Sequence, residues 1–199
     1  MTDRRGLVVA LVGGLAAGGL ALLGVSRPWA TVDIVAAGVP RSTIETAGTS
    51  AVPWVGALTL VVLTGALAII PTGPAARRVV GALVLLAAMG AAVGTLLAGP
   101  AIDDALAGDL AQSPASGGVD DQAMVDAADH PPWRWLTLGA SVAGVAVGLL
   151  VVAHGHRWPT MGSRYDAPTR AGGADDTASK GSDDADLWKA MDEGRDPTA

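Results

Sequence analysis

The sequence predicts an all-α integral membrane protein: a four-transmembrane-helix bundle with small outer loops and a disordered cytoplasmic tail. Three observations predict it. Four apolar stretches of close to twenty residues, 6–25, 51–70, 79–98 and 135–153, carry no charge. The basic residues gather on one side of them. Beyond the last stretch the chain turns polar and poor in large apolar side chains.

About twenty residues at 1.5 Å rise cross a ~30 Å hydrocarbon core as a helix. The first stretch holds ten Leu or Val residues, each favouring insertion by roughly 0.3–0.6 kcal/mol at the helix centre. One central Asp, Lys or Arg would cost roughly 2.5–3.5 kcal/mol, and none is present. Arg4 and Arg5 ahead of this stretch resemble the start of a signal peptide. The apolar run is too long for one, however, and no A-x-A site follows, so a retained first helix is expected.

Arginines set the orientation. Arg4, Arg5, Arg77, Arg78 and Arg157 flank the spans on one side, against Arg27, Arg41 and Arg134 on the other. Ten of the thirteen Lys and Arg residues lie on the side of the two termini. By the positive-inside rule both termini are cytoplasmic. Trp29, Trp54, Trp133 and Trp135 flank span ends on the outer side and Trp158 on the inner, which reads as an aromatic belt.

The first outer loop, 26–50, contains alternating runs at 31–35 and 42–46 around a turn-like 36–40, the pattern of a small β-hairpin. The second, 99–132, carries seven aspartates (Asp103, Asp104, Asp109, Asp120, Asp121, Asp126 and Asp129) and no Lys or Arg. Ile102, Leu106 and Leu110 recur every four residues, and Val119, Met124 and Ala128 follow a looser helical spacing. Two short amphipathic helices around a 113–118 link are expected. No D-x-D-x-D-G loop accompanies the aspartates, so they read as a solvated face and not as a metal site.

Chemistry is sparse. With 50% hydrophobic residues, 27 Gly, no Phe and one Tyr, helix packing must rest on close backbone approach. Gly14-x-x-x-Gly18, Gly90-x-x-x-Gly94 and Gly144-x-x-x-Gly148 supply it. Whether these ladders join helices of one chain or of a homo-oligomer stays open. A net charge of −6 argues against a nucleic-acid surface. The absence of cysteine excludes a disulfide framework or a Cys nucleophile. Polar groups in the spans are hydroxyls only: Thr59, Thr64, Thr95, Thr137 and Ser141. That counts against a proton-coupled carrier. No G-x-S-x-G, H-E-x-x-H or phosphate-binding glycine loop occurs, and His154 and His156 have no nearby carboxylate. Catalytic, cofactor and metal residues are all read as none.

Residues 1–158 therefore form the membrane domain and 159–199 a cytoplasmic tail. A basic-aromatic stretch, 157–168, suits anionic headgroups. A flexible linker, 169–182, follows, and then a short helical motif, 184–198. Leu187, Trp188 and Met191 share one face of that motif, and Gly194 and Pro197 end it. Such a turn on a tether reads as a docking peptide ordered by its partner.

The residues Ser26-Arg27-Pro28-Trp29, the run Arg157-Trp158-Pro159-Thr160-Met161-Gly162-Ser163-Arg164-Tyr165 and the ending Leu187-Trp188-Lys189-Ala190-Met191-Asp192-Glu193-Gly194-Arg195-Asp196-Pro197-Thr198 complete a pattern. With four spans and a charged linker, it resembles the actinobacterial tryptophan-associated membrane protein family. The resemblance covers essentially the whole chain and is carried most specifically by the ending. It implies a multi-pass plasma-membrane protein with some link to tryptophan biosynthesis, and no catalytic residues.

Two functions follow as expectations. The first is a non-enzymatic accessory or scaffold whose tail recruits a cytoplasmic or membrane partner through Leu187, Trp188, Met191, Asp196 and Pro197. The alternative is a small permease or transporter subunit for tryptophan or an indole-like metabolite. It would use the outer cluster Arg27, Trp29, Trp54, Trp133, Arg134 and Trp135, since Arg pairs with carboxylates and Trp stacks on rings.

Overall fold

Four apolar helices pack side by side, with a small cap of loop structure over one end. The computed structural model describes residues 2–34, 41–113 and 121–158. In chain order the elements are α1 (Thr2–Val25), β1 (Pro28–Ile34), β2 (Ser42–Ala47), α2 (Gly48–Ala51), α3 (Pro53–Ala68), α4 (Pro74–Leu96), α5 (Gly99–Ala111), α6 (Asp121–Asp126) and α7 (Trp133–His154). A 3-10 turn, Gly155–Arg157, closes the last helix.

Each long helix touches two neighbours, giving a closed ring in the order α1, α3, α4, α7. Glycines set the spacing. A Cβ on Gly14 would fall 2.7 Å from the Ala66 Cβ, and one on Gly18 2.7 Å from the Leu63 Cα, so α1 lies directly on α3. At Gly148 it would meet the Leu85 Cα at 2.7 Å, and at Gly144 the Ala88 Cβ at 3.1 Å, which seats α7 on α4. Gly90 and Gly94 receive Leu58 and the Trp54 ring from α3. All six ladder glycines thus face helices of the same chain.

Large apolar side chains ring the outside of this bundle. Val8, Val12, Leu60, Leu67, Leu83, Leu86, Val142 and Leu149 are all exposed. Contiguous apolar surface of this extent is the mark of a lipid-facing exterior. Three helical segments, Arg5–Val25, Pro74–Leu96 and Trp133–Arg157, are long and apolar enough to cross a membrane. The stretch expected over 51–70 yields a shorter helix of 16 residues, Pro53–Ala68. Proline causes the difference at its start: Pro53 occupies the first helical turn, and Val52 before it is non-helical at φ −138° and ψ 73°. At the other boundary Pro74 starts α4 five residues ahead of the expected span, so Arg77 and Arg78 belong to the helix and not to a loop.

At the opposite end β1 and β2 form an antiparallel hairpin, with Val32 opposite Ile44 and Ala30 opposite Thr46. The 36–40 turn lies outside the described residues. Ile102, Leu106 and Leu110 of α5 are buried, and with Trp29, Ile34 and Val125 they form one core. That core continues into the bundle through Val25, Val55 and Ala91. Two contacts tie the segments further. Thr31 and Asp129 exchange backbone hydrogen bonds of 2.9 and 3.0 Å, and the Thr46 hydroxyl donates to Asp109 Oδ2 at 2.6 Å. The two loops therefore build a single cap of mixed strand and helix on a mostly helical protein.

Candidate functional site

The hairpin end holds the six-residue aromatic and arginine cluster, and the structure divides it. Trp29 is 0% exposed. It is a core residue, not a headgroup anchor: its Nε1 donates to the Gly24 carbonyl at 3.0 Å, and its ring lies against Gly48. An indole so placed satisfies its one donor while filling the space between hairpin and helices. Arg134 is likewise engaged. Its Nε donates to the Thr95 carbonyl at 3.0 Å and its second guanidinium nitrogen to the Leu96 carbonyl at 2.8 Å. Both carbonyls lie in the last turn of α4, that of Thr95 accepting from the Ala98 N–H as well, so Arg134 closes that helix from the first turn of its neighbour. Arg27 sits 5.4 Å from the Trp133 ring centre and Arg134 5.8 Å from that of Trp135. Trp54 and Trp135 remain exposed, Trp135 at 63%.

The far end carries a second arginine closure that hydropathy reading passed over. Arg77 is 1% exposed. One terminal nitrogen donates to the Gly155 carbonyl at 3.1 Å and the Trp158 carbonyl at 3.3 Å, the other to the Thr72 carbonyl at 3.0 Å. The Arg77 guanidinium also lies 5.9 Å from the centre of the Trp158 ring. Trp158 is buried too, in a cluster with Ala10, Ile69 and Val151, with its Nε1 over Gly6. Each of the antiparallel helices α4 and α7 thus has its carboxyl end held by an arginine from the first turn of the other. The available signal was Pro74: proline in the first turn places Arg77 inside the helix, where a charge needs buried acceptors.

Hydroxyls mark the bundle interior. Thr59 donates to the Gly56 carbonyl at 2.7 Å and Thr137 to the Trp133 carbonyl at 3.1 Å, each within its own helix. Thr95 Oγ1 and Ser141 Oγ are buried without a hydrogen-bond partner. Between α3 and α4 an open apolar groove of about 280 Å³ is lined by Val61, Thr64, Gly65, Ala68, Val80, Leu83 and Val84. Among the described residues no group of three His, Cys, Asp or Glu side chains is placed to hold a metal ion. The tail residues Leu187, Trp188, Met191, Asp196 and Pro197 lie outside the described residues.

The family described as tryptophan-associated transmembrane protein matches residues 10–198. The chain belongs to this family. Its match takes in the ring of four helices, the cap and the tail as far as Thr198, so the tryptophan-associated family shares both the bundle and the terminal segment. No curated protein and no solved structure matches the chain. The family is one of transmembrane, tryptophan-associated proteins and is not described as an enzyme family.

Proposed function

We propose that the chain is a non-enzymatic accessory or scaffold of the plasma membrane associated with tryptophan biosynthesis. In this reading all four long helices cross the bilayer, both termini are cytoplasmic, and the LWKAMDEGRDPT segment recruits a protein partner. The observation that carries it is the extent of the family match, which runs past the membrane domain to residue 198. A tail serving only as a solvated end has no reason to belong to the shared pattern.

Two features support the membrane arrangement. At 1.5 Å per residue, the 16 residues of α3 make a helix about 24 Å long, short of a ~30 Å core. Local thinning of the bilayer accommodates a mismatch of that size. Leu60, Val61 and Leu67 on α3 are as exposed as their counterparts on the longer helices. Charge also divides between the ends. Between residues 5 and 158 every described carboxylate lies on the hairpin, on α5 or α6, or just after α6, whereas Arg5, Arg78 and Arg157 lie at the far end.

The chain lacks cysteine, so single cysteines report topology cleanly. Thr43→Cys should react with a membrane-impermeant maleimide on intact cells, and Ser163→Cys only after permeabilisation. Labelling of both on intact cells would refute the orientation. For the docking role, Trp188→Ala in the full-length protein should remove at least one protein that co-purifies from native membranes. An unchanged set of partners would remove the scaffold reading.

A further inference from the structure

Two of the exposed arginines at the far end, Arg78 and Arg157, share one corner of the bundle with His156. Arg77 fixes that corner: its hydrogen bonds to the Gly155 and Trp158 carbonyls press the first turn of α4 against the 3-10 turn after α7. The first turn of α4, which carries Arg78, thereby meets the turn that carries His156 and Arg157, and the side chains of Arg78, His154, His156 and Arg157 are all exposed. Arg78, Arg157 and His154 are each within electrostatic reach of the His156 ring. Between residues 5 and 158 no described carboxylate lies at this end, and Asp3 in the first turn of α1 is the one described carboxylate there. Immediately beyond Arg78 the surface turns apolar, with Val79 61% exposed, so the corner sits where a lipid-facing wall meets the polar boundary.

We propose that this corner, formed by Arg78, His154, His156 and Arg157, is a seat for the headgroup of an anionic phospholipid. Each element of the recognition is present. Guanidinium groups on adjoining elements approach a phosphate from two directions, and the planar fork of each donates in pairs to phosphate oxygens. The imidazoles add donors on the same side. The neighbouring apolar helix surface receives the acyl chains, which a soluble anion does not possess. Basic pockets between membrane helices favour anionic headgroups for these reasons. Arg77 is not available to the ligand, because its terminal nitrogens are spent on backbone carbonyls. It positions the corner instead.

The test is native mass spectrometry of the full-length protein in detergent with equal amounts of phosphatidylglycerol and phosphatidylcholine. The intact chain should retain phosphatidylglycerol preferentially. Replacing two cations in Arg78→Gln/Arg157→Gln should lower that retention by about 25-fold, at about a factor of five for each cation near an anionic surface. Arg78→Lys/Arg157→Lys should recover most of it and shows that loss of charge, not of fold, is responsible. Arg41→Gln at the hairpin end should change nothing. An undiminished preference in the glutamine double variant, or equal retention of both lipids by the intact chain, would overturn the proposal. So would a preference that emerges only once residues 162–199 are removed, since the acidic tail would then be the occupant.

Discussion

Two arginines and two tryptophans show how differently one residue type behaves at different depths. Trp29 and Trp135 both flank membrane helices, yet one is wholly buried and the other 63% exposed. Trp29→Ala empties a core site and removes one of two donors to the Gly24 carbonyl, the Arg27 N–H being the other, so it should cost about 3–5 kcal/mol of stability. Trp135→Ala should cost less than about 1 kcal/mol. Chemical denaturation of the purified protein in one detergent would measure both, and equal losses would contradict the placement of Trp29. Arg77 and Arg134 close helix ends in the same way but are not equally sheltered. Arg77 is surrounded by protein, and Arg77→Ala leaves three carbonyls without donors, for a loss of about 3–5 kcal/mol. Arg134 is partly open to the surface, where water can replace it, so Arg134→Ala should lose about 1–2 kcal/mol. A larger effect at Arg134 than at Arg77 would reverse the assignment of depth.

At the scale of elements, the glycine ladders decide where helices lie. Gly148 faces the Leu85 backbone at a distance no real Cβ tolerates, whereas a Cβ on Gly139 of the same helix would meet nothing within 4 Å. Gly148→Ala should therefore push α7 from α4 and lose about 1–3 kcal/mol, while Gly139→Ala should be neutral or slightly stabilising. Similar thermal midpoints for the two variants would sink this reading of the α4–α7 contact. Much of this level was legible in advance. Charge-free apolar runs located the long helices, since a buried charge is costly in lipid, and period-two alternation at 31–35 and 42–46 located the strands. Proline moved the boundaries: Pro53 shortened α3, and Pro74 drew Arg77 into a helix. What stayed hidden was pairing. The four-residue stripe Ile102, Leu106, Leu110 announces a buried face, but nothing in that stripe names the hairpin and Trp29 as its cover. For the same reason Trp29, adjacent to a span end, reads as a headgroup anchor until its partner is known. Spacing also cannot tell whether a GxxxG face meets its own chain or another, because both give the same close approach.

For the whole molecule, the decisive feature is that cap and bundle share one core. Trp29, Ile102, Leu106 and Leu110 above, and Val25, Val55 and Ala91 below, belong to the same cluster. A two-stranded hairpin is marginal alone, and helices as short as α5 and α6 gain their stability from packing. The cap therefore has no independent means of staying folded and must melt with the ends of the helices that carry it. Leu106→Ala, at a fully buried position of the cap, should lower stability by about 2–5 kcal/mol and do so in a single transition. Tryptophan fluorescence, weighted towards the hairpin end by Trp29, Trp54, Trp133 and Trp135, should report the same midpoint as far-ultraviolet circular dichroism, which is dominated by the four helices. If fluorescence falls first while helicity persists, the cap is a separate unit and the shared core does not couple it. Coincidence of the two signals would mean that a perturbation at the hairpin surface is felt along helices that end where the tail begins, through Arg77 and Trp158 at the far end of α4 and α7.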